Sequence, residues 1–390
     1  MLLYIYIYNP PFIFFPVSPK FALYLFFIPI LLNEKFYKYV IAVKYYIALI
    51  LFVIFFSFLR EINNPQGFVF FVPNLMLVFE IFIIPIGIIM FYNSLKREDL
   101  ILDVIKVATV AGLITLTLIL NSSLSDFVRY SLLKNDEFTE SLANRTFGVS
   151  ESLTFSYGLI QGLMVPFVLF YSKKNAKILY TLPLFFISVL FNARIGFLPI
   201  LLGLILYFIL NFKVKQILFL FFGGLVGYLL LFQTKLFEEQ KQTIEWGLDF
   251  FTQLSDFSSG QRTTGGNTFD TLFGDMLVLP ENGWEWLFGT GRNIFVNVFG
   301  ESSDVGYIIQ LAYGGIMYIS IFGFILYNLF KFSKVKNSGE KYLGFLCIAI
   351  MLIANIKGNF FTTVGIFRLM VLVIFWFYFN NRFKKNPNHG

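Results

Sequence analysis

Long apolar runs alternate with polar connections along most of this chain. A helix that crosses a hydrocarbon core of ~30 Å needs about 20 residues, or fewer where its polar ends reach the interface. We assign twelve runs of this kind, at residues 2–16, 21–33, 39–59, 68–92, 100–120, 153–171, 176–193, 195–211, 215–233, 303–330, 342–358 and 363–380. The pattern predicts an all-α polytopic membrane protein with about twelve transmembrane helices.

The first two runs carry the weakest signal. The sequence Asn9-Pro10-Pro11 interrupts the first run, and the second is short. They predict two separate spans, a re-entrant hairpin or one kinked span. The expected number of transmembrane helices is therefore ten to twelve.

Two connections are much longer than the others, at residues 121–152 and 234–302. The second begins with apolar residues at helical spacing and acids opposite them, which predicts an amphipathic helix on the membrane or on the helical bundle. Its apolar positions are Phe237, Ile244, Leu248, Phe251 and Leu254. The predicted parts of the chain are a transmembrane bundle (1–233, with loop 121–152), a long loop (234–302) and C-terminal transmembrane helices with a tail (303–390).

Lysine and arginine concentrate in alternate connections, which sets the predicted orientation because cytoplasmic loops of membrane proteins are enriched in these residues. The short connections of the other set hold little beyond Lys20, Arg60 and Arg194. The enriched set comprises Lys35, Lys38, Lys96, Arg97, Lys173, Lys174, Lys177, Lys213, Lys215, Lys331, Lys334, Lys336, Lys341, Arg382, Lys384 and Lys385. Both chain ends are predicted to be cytoplasmic, and both long loops external.

Composition agrees with this class and excludes several chemistries. Hydrophobic residues make up 57% of the chain and charged residues 14%. Cys347 lies in an apolar run and His389 in the tail, and each is the sole residue of its type, so no disulfide, histidine metal cluster, Ser-His-Asp triad or Cys-His pair can form. We predict no metal and no cofactor. The net charge of +7 follows from the predicted topology, and no nucleic-acid partner is expected.

Five cations on the predicted outer side are candidates for binding an anion. Arg194, Lys357 and Arg368 lie at helix ends, and Arg262 and Arg292 lie in the long loop. Arginine suits bidentate phosphate contacts and lysine acts as a point charge. The alternatives are anchoring at the membrane interface for the first three and solvation for the loop arginines. The sequence "GTGR" lacks the ending of a nucleotide phosphate loop, so its glycines are expected to set a turn that aims Arg292 at the membrane.

Two carboxylates and two tryptophans complete the candidate set. Asp304 stands where a helix should start, so it caps that helix or takes part in chemistry. Glu80 lies in the middle of a predicted span, where it serves as a proton site or pairs with a lysine or tyrosine of another helix. Trp284 and Trp286 form part of an interfacial aromatic belt or stack on sugars.

Five segments occur in the order expected of one family. They are "NARIGFLPILLG" (192–203), "SSGQR" (258–262), "LFGTGR" (287–292), "SSDVGYIIQLAYGGI" (302–316) and "IKGNFF" (356–361). With the helix number and the long external loop, they resemble segments of the bacterial O-antigen and capsular repeat-unit polymerases of the Wzy type. The resemblance covers most of the chain at the level of topology.

The resemblance implies glycosyl transfer on the outer face of the bacterial cytoplasmic membrane. A growing glycan on undecaprenyl pyrophosphate moves to a new lipid-linked repeat unit, and undecaprenyl pyrophosphate leaves. The implied partners are this lipid-linked oligosaccharide and the bilayer, with a chain-length regulator and a flippase as further partners it allows. Asp304 is then the favoured base or orienting group, assisted by Arg194 and Arg292, and the sugars stack on Trp284 and Trp286. The expected pyrophosphate ligands are Arg194, Arg262, Arg292, Lys357 and Arg368.

Two alternatives stay open. An O-antigen ligase has a similar layout but is expected to use an external histidine, whereas His389 lies in the predicted cytoplasmic tail. A flippase or other transporter of lipid-linked oligosaccharide commonly has short loops and two related halves. The long loop and the lack of a visible repeat favour the polymerase.

Overall fold

The computed structural model describes most of the chain. It covers residues 1–14, 17–62, 66–95, 99–132, 148–151, 153–211, 276–295, 302–361 and 365–383, and the single positions 64, 229, 241, 244, 245 and 274. All regular secondary structure within these residues is helical. The all-α prediction is therefore confirmed for the described part of the chain.

Most helices follow the predicted apolar runs, and two lie in the predicted long connections, at Ser122–Leu132 and Gly283–Phe288. In chain order they are α1 (Leu2–Tyr8), α2 (Pro19–Phe27), α3 (Glu34–Ala42), α4 (Lys44–Glu61), α5 (Phe71–Val78), α6 (Ile84–Ser94), α7 (Leu100–Ile119), α8 (Ser122–Leu132), α9 (Gly158–Tyr171), α10 (Leu182–Leu190), α11 (Phe197–Leu210), α12 (Gly283–Phe288), α13 (Gly306–Phe332), α14 (Ser338–Ala354) and α15 (Gly365–Phe383). Short 3₁₀ turns lead out of α2 and into α10 and α11, and a π-helical turn joins α5 to α6.

Four helices of the described chain are long and apolar enough to cross a membrane. They are Phe71–Ser94, Leu100–Ile119, Gly306–Phe332 and Gly365–Phe383. A fifth is added if α3 and α4, which meet at 83°, form one broken span. These helices are those of a membrane-embedded protein, and the number of twelve spans stays a prediction.

Several predicted spans are not single straight helices. In the first, α1 ends at Tyr8 because Asn9 takes a left-handed conformation with φ 39°. The seven residues of α1 rise only about 10 Å, too little to cross a bilayer. The run 39–59 is also divided, because the chain bends at Val43 between α3 and α4. The run 215–233 and most of the predicted amphipathic helix lie outside the described residues.

The chain divides into two units that interleave along the sequence. The first contains residues 1–23 and 99–252, and the second contains residues 24–98 and 253–390. The sequence predicts divisions of the chain at residues 233 and 302, where apolar runs end and begin. The boundaries between the two units lie at other positions.

In the first unit, α9 packs against α7, α10 and α11. Glycines permit the closest of these approaches. A Cβ atom on Gly162 of α9 would lie 2.0 Å from the carbonyl oxygen of Gly196, and one on Gly203 of α11 would lie 2.6 Å from the ring of Pro166. Small residues at such crossings let helix backbones approach closely, which favours association within a membrane.

We expect Gly162→Ala to destabilise the first unit by about 1–3 kcal/mol, because the added methyl group can be accommodated only by moving backbone. The apparent unfolding temperature in detergent measures this effect. Gly323→Ala is the matched control, since Gly323 is also helical and has open space where its Cβ would lie. Equal unfolding temperatures for the two variants would contradict the proposed role of Gly162.

Contacts between connections agree with the predicted sides of the membrane. In the first unit, Lys20 lies 3.8 Å from Glu151, and both belong to connections predicted to be external. Lys174 lies 3.1 Å from Asp99, and both belong to connections predicted to be cytoplasmic. Such pairs are what an alternating topology requires, and which set faces the cytoplasm stays a prediction.

In the second unit, α13 packs against α4, α12, α14 and α15, and α15 also packs against α6. The long helix α13 is not continuous. Gly315 has φ 66° and ψ −166°, which breaks the helix about one third of the way along it. This break positions the candidate site.

Candidate functional site

Three of the five segments that resemble polymerase segments come together in the second unit. Residues 287–292 and 356–361 both contact the segment 302–316. The segment 192–203 belongs to the first unit, and 258–262, which includes Arg262, lies outside the described residues. The site can therefore be built from the loop at Arg292 and the start of α13.

The loop that contains Arg292 binds to the break in α13. The amide of Thr290 donates to the carbonyl oxygen of Ala312 at 2.7 Å, and the amide of Gly291 donates to that of Tyr313 at 2.9 Å. The kink at Gly315 turns the chain away from helical geometry directly after these two carbonyls. The loop amides thus occupy acceptors that a regular helix would have used itself.

Glycine is required on both sides of this contact. Gly289 has φ 71°, and a Cβ atom there would lie 2.5 Å from the carbonyl group of Tyr313. A Cβ atom on Gly315 would lie 2.4 Å from the carbonyl group of Leu287. Gly291 also has a positive φ, of 81°. The prediction that the glycines before Arg292 set a turn is confirmed.

The end of α4 and the residues after it hold the other side of the loop. Nη2 of Arg60 donates to the Gly289 carbonyl at 2.6 Å, and Nδ2 of Asn64 donates to the Gly291 carbonyl at 2.5 Å. The Gln66 side chain accepts from the Asn293 amide at 2.8 Å. From the sequence, Arg60 was only a charge in a connection predicted to be external. No residue near Arg60 in the sequence indicates its contact with Gly289.

Arg292 borders a cavity of about 300 Å³. Glu281 and Glu285 also line it, together with Thr290 and Ile294. A guanidinium and two carboxylates provide hydrogen-bond donors and acceptors for a ligand rich in hydroxyl or phosphate groups. Groups of three or more His, Cys, Asp or Glu side chains that would hold a metal are absent from the described residues.

Asp304 is exposed beside the same loop and does not cap α13. The N-cap position is Val305, and its amide donates to Oγ of Ser303 at 3.1 Å. The amide of Ser303 donates to the carbonyl of Ile294 at 2.9 Å. This hydrogen bond joins the residues just after Arg292 to those just before Asp304. Neither Asp304 nor Ser303 therefore supplies a side-chain cap to α13, and the Asp304 carboxylate is exposed to a ligand.

Lys357 is exposed at a turn that amide side chains fix to the start of α13. Nε2 of Gln310 donates to Oδ1 of Asn355 at 3.1 Å and to Oδ1 of Asn359 at 2.9 Å. A Cβ atom on Gly306 would lie 2.3 Å from the carbonyl oxygen of Gly358. The predicted cation Lys357 and the predicted base Asp304 thus belong to segments that pack together.

Arg368 has a different environment from the one that the sequence suggested. It is 1% exposed, and its Nη1 lies 2.9 Å from Oε2 of Glu80, which is also 1% exposed. The hydroxyl of Tyr24 donates to the other oxygen of Glu80. Arg368 therefore pairs with the carboxylate of Glu80, whereas the sequence predicted that it would bind an external anion. Of the two interpretations of Glu80, pairing with a residue of another helix is the one observed.

Arg194 lies in the first unit. It opens a 3₁₀ turn, Arg194–Gly196, and is buried. The preceding Asn192 accepts from the amide of Gly148 at 2.8 Å, which fixes this turn to the end of the loop 121–152. Arg194 is thus buried in the first unit, whereas Arg292 belongs to the second.

Trp284 and Trp286 are both in the short helix α12. The ring of Trp284 is 67% exposed and packs against Phe288, with the ring centroids 4.4 Å apart. Glu285, between the two tryptophans, faces the cavity instead. Trp284 offers a free ring face next to the cavity rather than within it.

Comparison of the chain with protein-family models, with curated proteins and with solved structures found no match. The class of protein consequently rests on the helices and on the site. The described part of the chain is all-helical and of the membrane-embedded type, with a glycine-built loop that holds Arg292 at the wall of a cavity.

Proposed function

We propose that this protein polymerises lipid-pyrophosphate-linked oligosaccharide repeat units at a membrane surface, as the Wzy-type polymerases that its segments resemble do. The cavity at Arg292 carries this proposal. It is formed where the "LFGTGR" and "SSDVGYIIQLAYGGI" segments meet, with Arg292, Glu281 and Glu285 on its walls. The guanidinium suits a phosphate oxygen, and the two carboxylates suit the hydroxyl groups of a sugar.

The proposed reaction exchanges one glycosidic bond for another. The bond between the anomeric carbon of the donor glycan and its pyrophosphate oxygen breaks, and a bond from that carbon to an acceptor hydroxyl oxygen forms. The hydroxyl proton passes to a carboxylate, and undecaprenyl pyrophosphate leaves with the electron pair. Arg292 stabilises the negative charge that develops on the pyrophosphate.

The carboxylate that accepts the proton has three candidates. Asp304 is exposed on a segment joined to the Arg292 loop, and it was the favoured base from sequence. Glu281 and Glu285 line the cavity itself, and one oxygen of Glu285 accepts from the Glu281 amide at 3.0 Å. Glu281 and Glu285 are thus the two candidates that lie within the cavity itself.

Further cations serve the second substrate. Donor and acceptor each carry a pyrophosphate, and Lys357 and Arg262 are proposed as ligands of the second one, whereas Arg194 belongs to the first unit. Arg368 is left out of this set because Glu80 pairs with it. Trp284 is proposed to stack on a sugar of the bound glycan.

The experiment that tests the function is reconstitution of the purified protein with a lipid-linked repeat unit, followed by gel analysis of the product. A ladder of multimers on the lipid carrier supports a polymerase. Transfer of the glycan to a different acceptor without a ladder supports the ligase alternative. Movement of the lipid across the bilayer without lengthening would support the flippase.

Arg292→Ala is expected to lower the rate of lengthening about 10²–10³-fold, because loss of one preorganised donor at a developing anion costs that much. The rate is measured in the same assay under single-turnover conditions. Arg382→Ala is the matched control, since Arg382 is also exposed and in the second unit but lies in the last turn of α15. Full activity in Arg292→Ala would remove this residue from the mechanism, and loss with both variants would show a nonspecific effect of charge.

A further inference from the structure

A second cavity, of about 520 Å³, lies in the second unit away from Arg292. Its apolar wall includes Phe26, Ile30, Met90 and Phe91. Its polar residues include Asn33, Lys35, Tyr39, Asn93 and Ser94. The reaction proposed above gives this cavity no role.

The polar and apolar residues of the cavity come from different parts of the helices that form it. The apolar residues belong to α2, the 3₁₀ turn after it and the body of α6, whereas Asn33 and Lys35 begin α3 and Ser94 ends α6. Lys35 is exposed, and Asn33 accepts from its amide at 2.9 Å, which fixes the first turn of α3. The cavity thus has one cationic, hydrogen-bonding end and one long apolar side.

Gly87 gives the apolar side its shape. A Cβ atom on Gly87 would lie 2.4 Å from the ring of Phe27, so this ring rests directly on the backbone of α6. Pro29 then starts the 3₁₀ turn and directs the chain towards Asn33. The gap between that turn and the end of α6 is the cavity.

We propose that this cavity binds one anionic glycerophospholipid, with its phosphate at Lys35 and Asn33 and an acyl chain along Ile30, Met90 and Phe91. An amphipathic anion suits both ends, because its apolar part covers the apolar side of the cavity and its phosphate pairs with Lys35. Basic pockets between membrane helices bind anionic head groups for the same reason. The neighbouring acid Glu34 does not belong to the cavity wall.

The test uses the purified full-length protein in detergent and native mass spectrometry. Phosphatidylglycerol and phosphatidylcholine with identical acyl chains are compared at equal concentrations. We expect a single tightly retained phosphatidylglycerol and weaker retention of phosphatidylcholine. Lys35→Gln should weaken phosphatidylglycerol binding about fivefold, the effect of one lysine at a membrane surface, and should weaken phosphatidylcholine binding less, because the choline charge offsets that of the phosphate.

Two further variants make the result decisive. Lys336→Gln removes an exposed lysine from another connection of the same predicted side and should not change binding. Met90→Trp fills the apolar side without changing charge and should weaken the binding of both lipids. Equal retention of the two lipids by the unmodified protein, or equal losses in the two lysine variants, would overturn the proposal. So would unchanged binding in Met90→Trp.

Discussion

Replacing Arg368 with leucine is expected to lower the free energy of unfolding by about 3–5 kcal/mol, the cost of removing one partner from a buried ion pair. Arg368 and Glu80 are each 1% exposed and lie 2.9 Å apart. Without Arg368 the carboxylate of Glu80 loses its ion pair, while the hydroxyl of Tyr24 still donates to it. A charge left in an apolar interior must be neutralised by protonation or by distortion of the helices around it.

Denaturant titration in detergent measures this loss, and a double-mutant cycle assigns it to the pair. Glu80→Leu combined with Arg368→Leu should be more stable than Arg368→Leu alone, because two apolar residues replace the pair without leaving a charge. Lys106→Leu is the control, since Lys106 forms an exposed pair with Asp103 at 2.8 Å and should cost less than about 1 kcal/mol. The interpretation fails if Arg368→Leu costs no more than Lys106→Leu, or if the double variant is the least stable of the set.

This ion pair marks the limit of what could be predicted from the sequence. Glu80 and Arg368 are 288 residues apart along the chain, and each stands alone among apolar neighbours. The sequence pointed to Glu80 as needing a partner but could not say which of many helices supplies it. For Arg368 the same uncertainty led to the expectation of an external anion.

The helices themselves were largely predictable, because apolar runs and helix ends follow directly from the need to satisfy backbone groups within a membrane. The run 68–92 is the helix Phe71–Ser94, and the run 100–120 is Leu100–Ile119. What could not be predicted are the interruptions within runs, such as the bend at Val43 and the break at Gly315. These depend on contacts with distant segments, and apolar periodicity does not record them.

The candidate site was predictable only where a local sequence signal marks it. The glycines around Arg292 have a local signature, and the turn that they form is present. Arg60 binds the Gly289 carbonyl across 229 residues of sequence, and nothing near Arg60 indicates this contact. Glu285 had no distinguishing sequence context either, and only its place in the cavity makes it a candidate.

Gly289→Ala is expected to abolish measurable lengthening and to destabilise the second unit by about 2–4 kcal/mol. Two costs combine at this position. Gly289 has φ 71° and ψ −179°, a conformation that residues with a Cβ atom adopt at a cost of about 1–3 kcal/mol. The added Cβ would also lie 2.5 Å from the Tyr313 carbonyl, so the loop could not keep its hydrogen bonds to α13. Arg292 would then lose its position over the cavity.

Two glycine variants separate these costs. Gly67 has φ 74° and nothing within 4 Å of its Cβ position, so Gly67→Ala measures conformational strain alone, expected to be about 1 kcal/mol. Gly291 has φ 81° with its nearest neighbours at 3.5 Å, so Gly291→Ala should be intermediate. Stability is measured by unfolding in detergent, and lengthening in the reconstituted assay. The close approach of the loop to α13 would be refuted if Gly289→Ala were as stable and as active as Gly67→Ala.

The comparison with Arg292→Ala then distinguishes a structural from a chemical defect. Arg292 is exposed, so Arg292→Ala should keep the unfolding temperature of the unmodified protein while it loses lengthening. Gly289→Ala should lose both, because it removes the support of the loop as well as the position of the guanidinium. If Gly289→Ala loses stability but keeps full lengthening, the loop is a structural connection and the cavity at Arg292 is not where the glycan is extended.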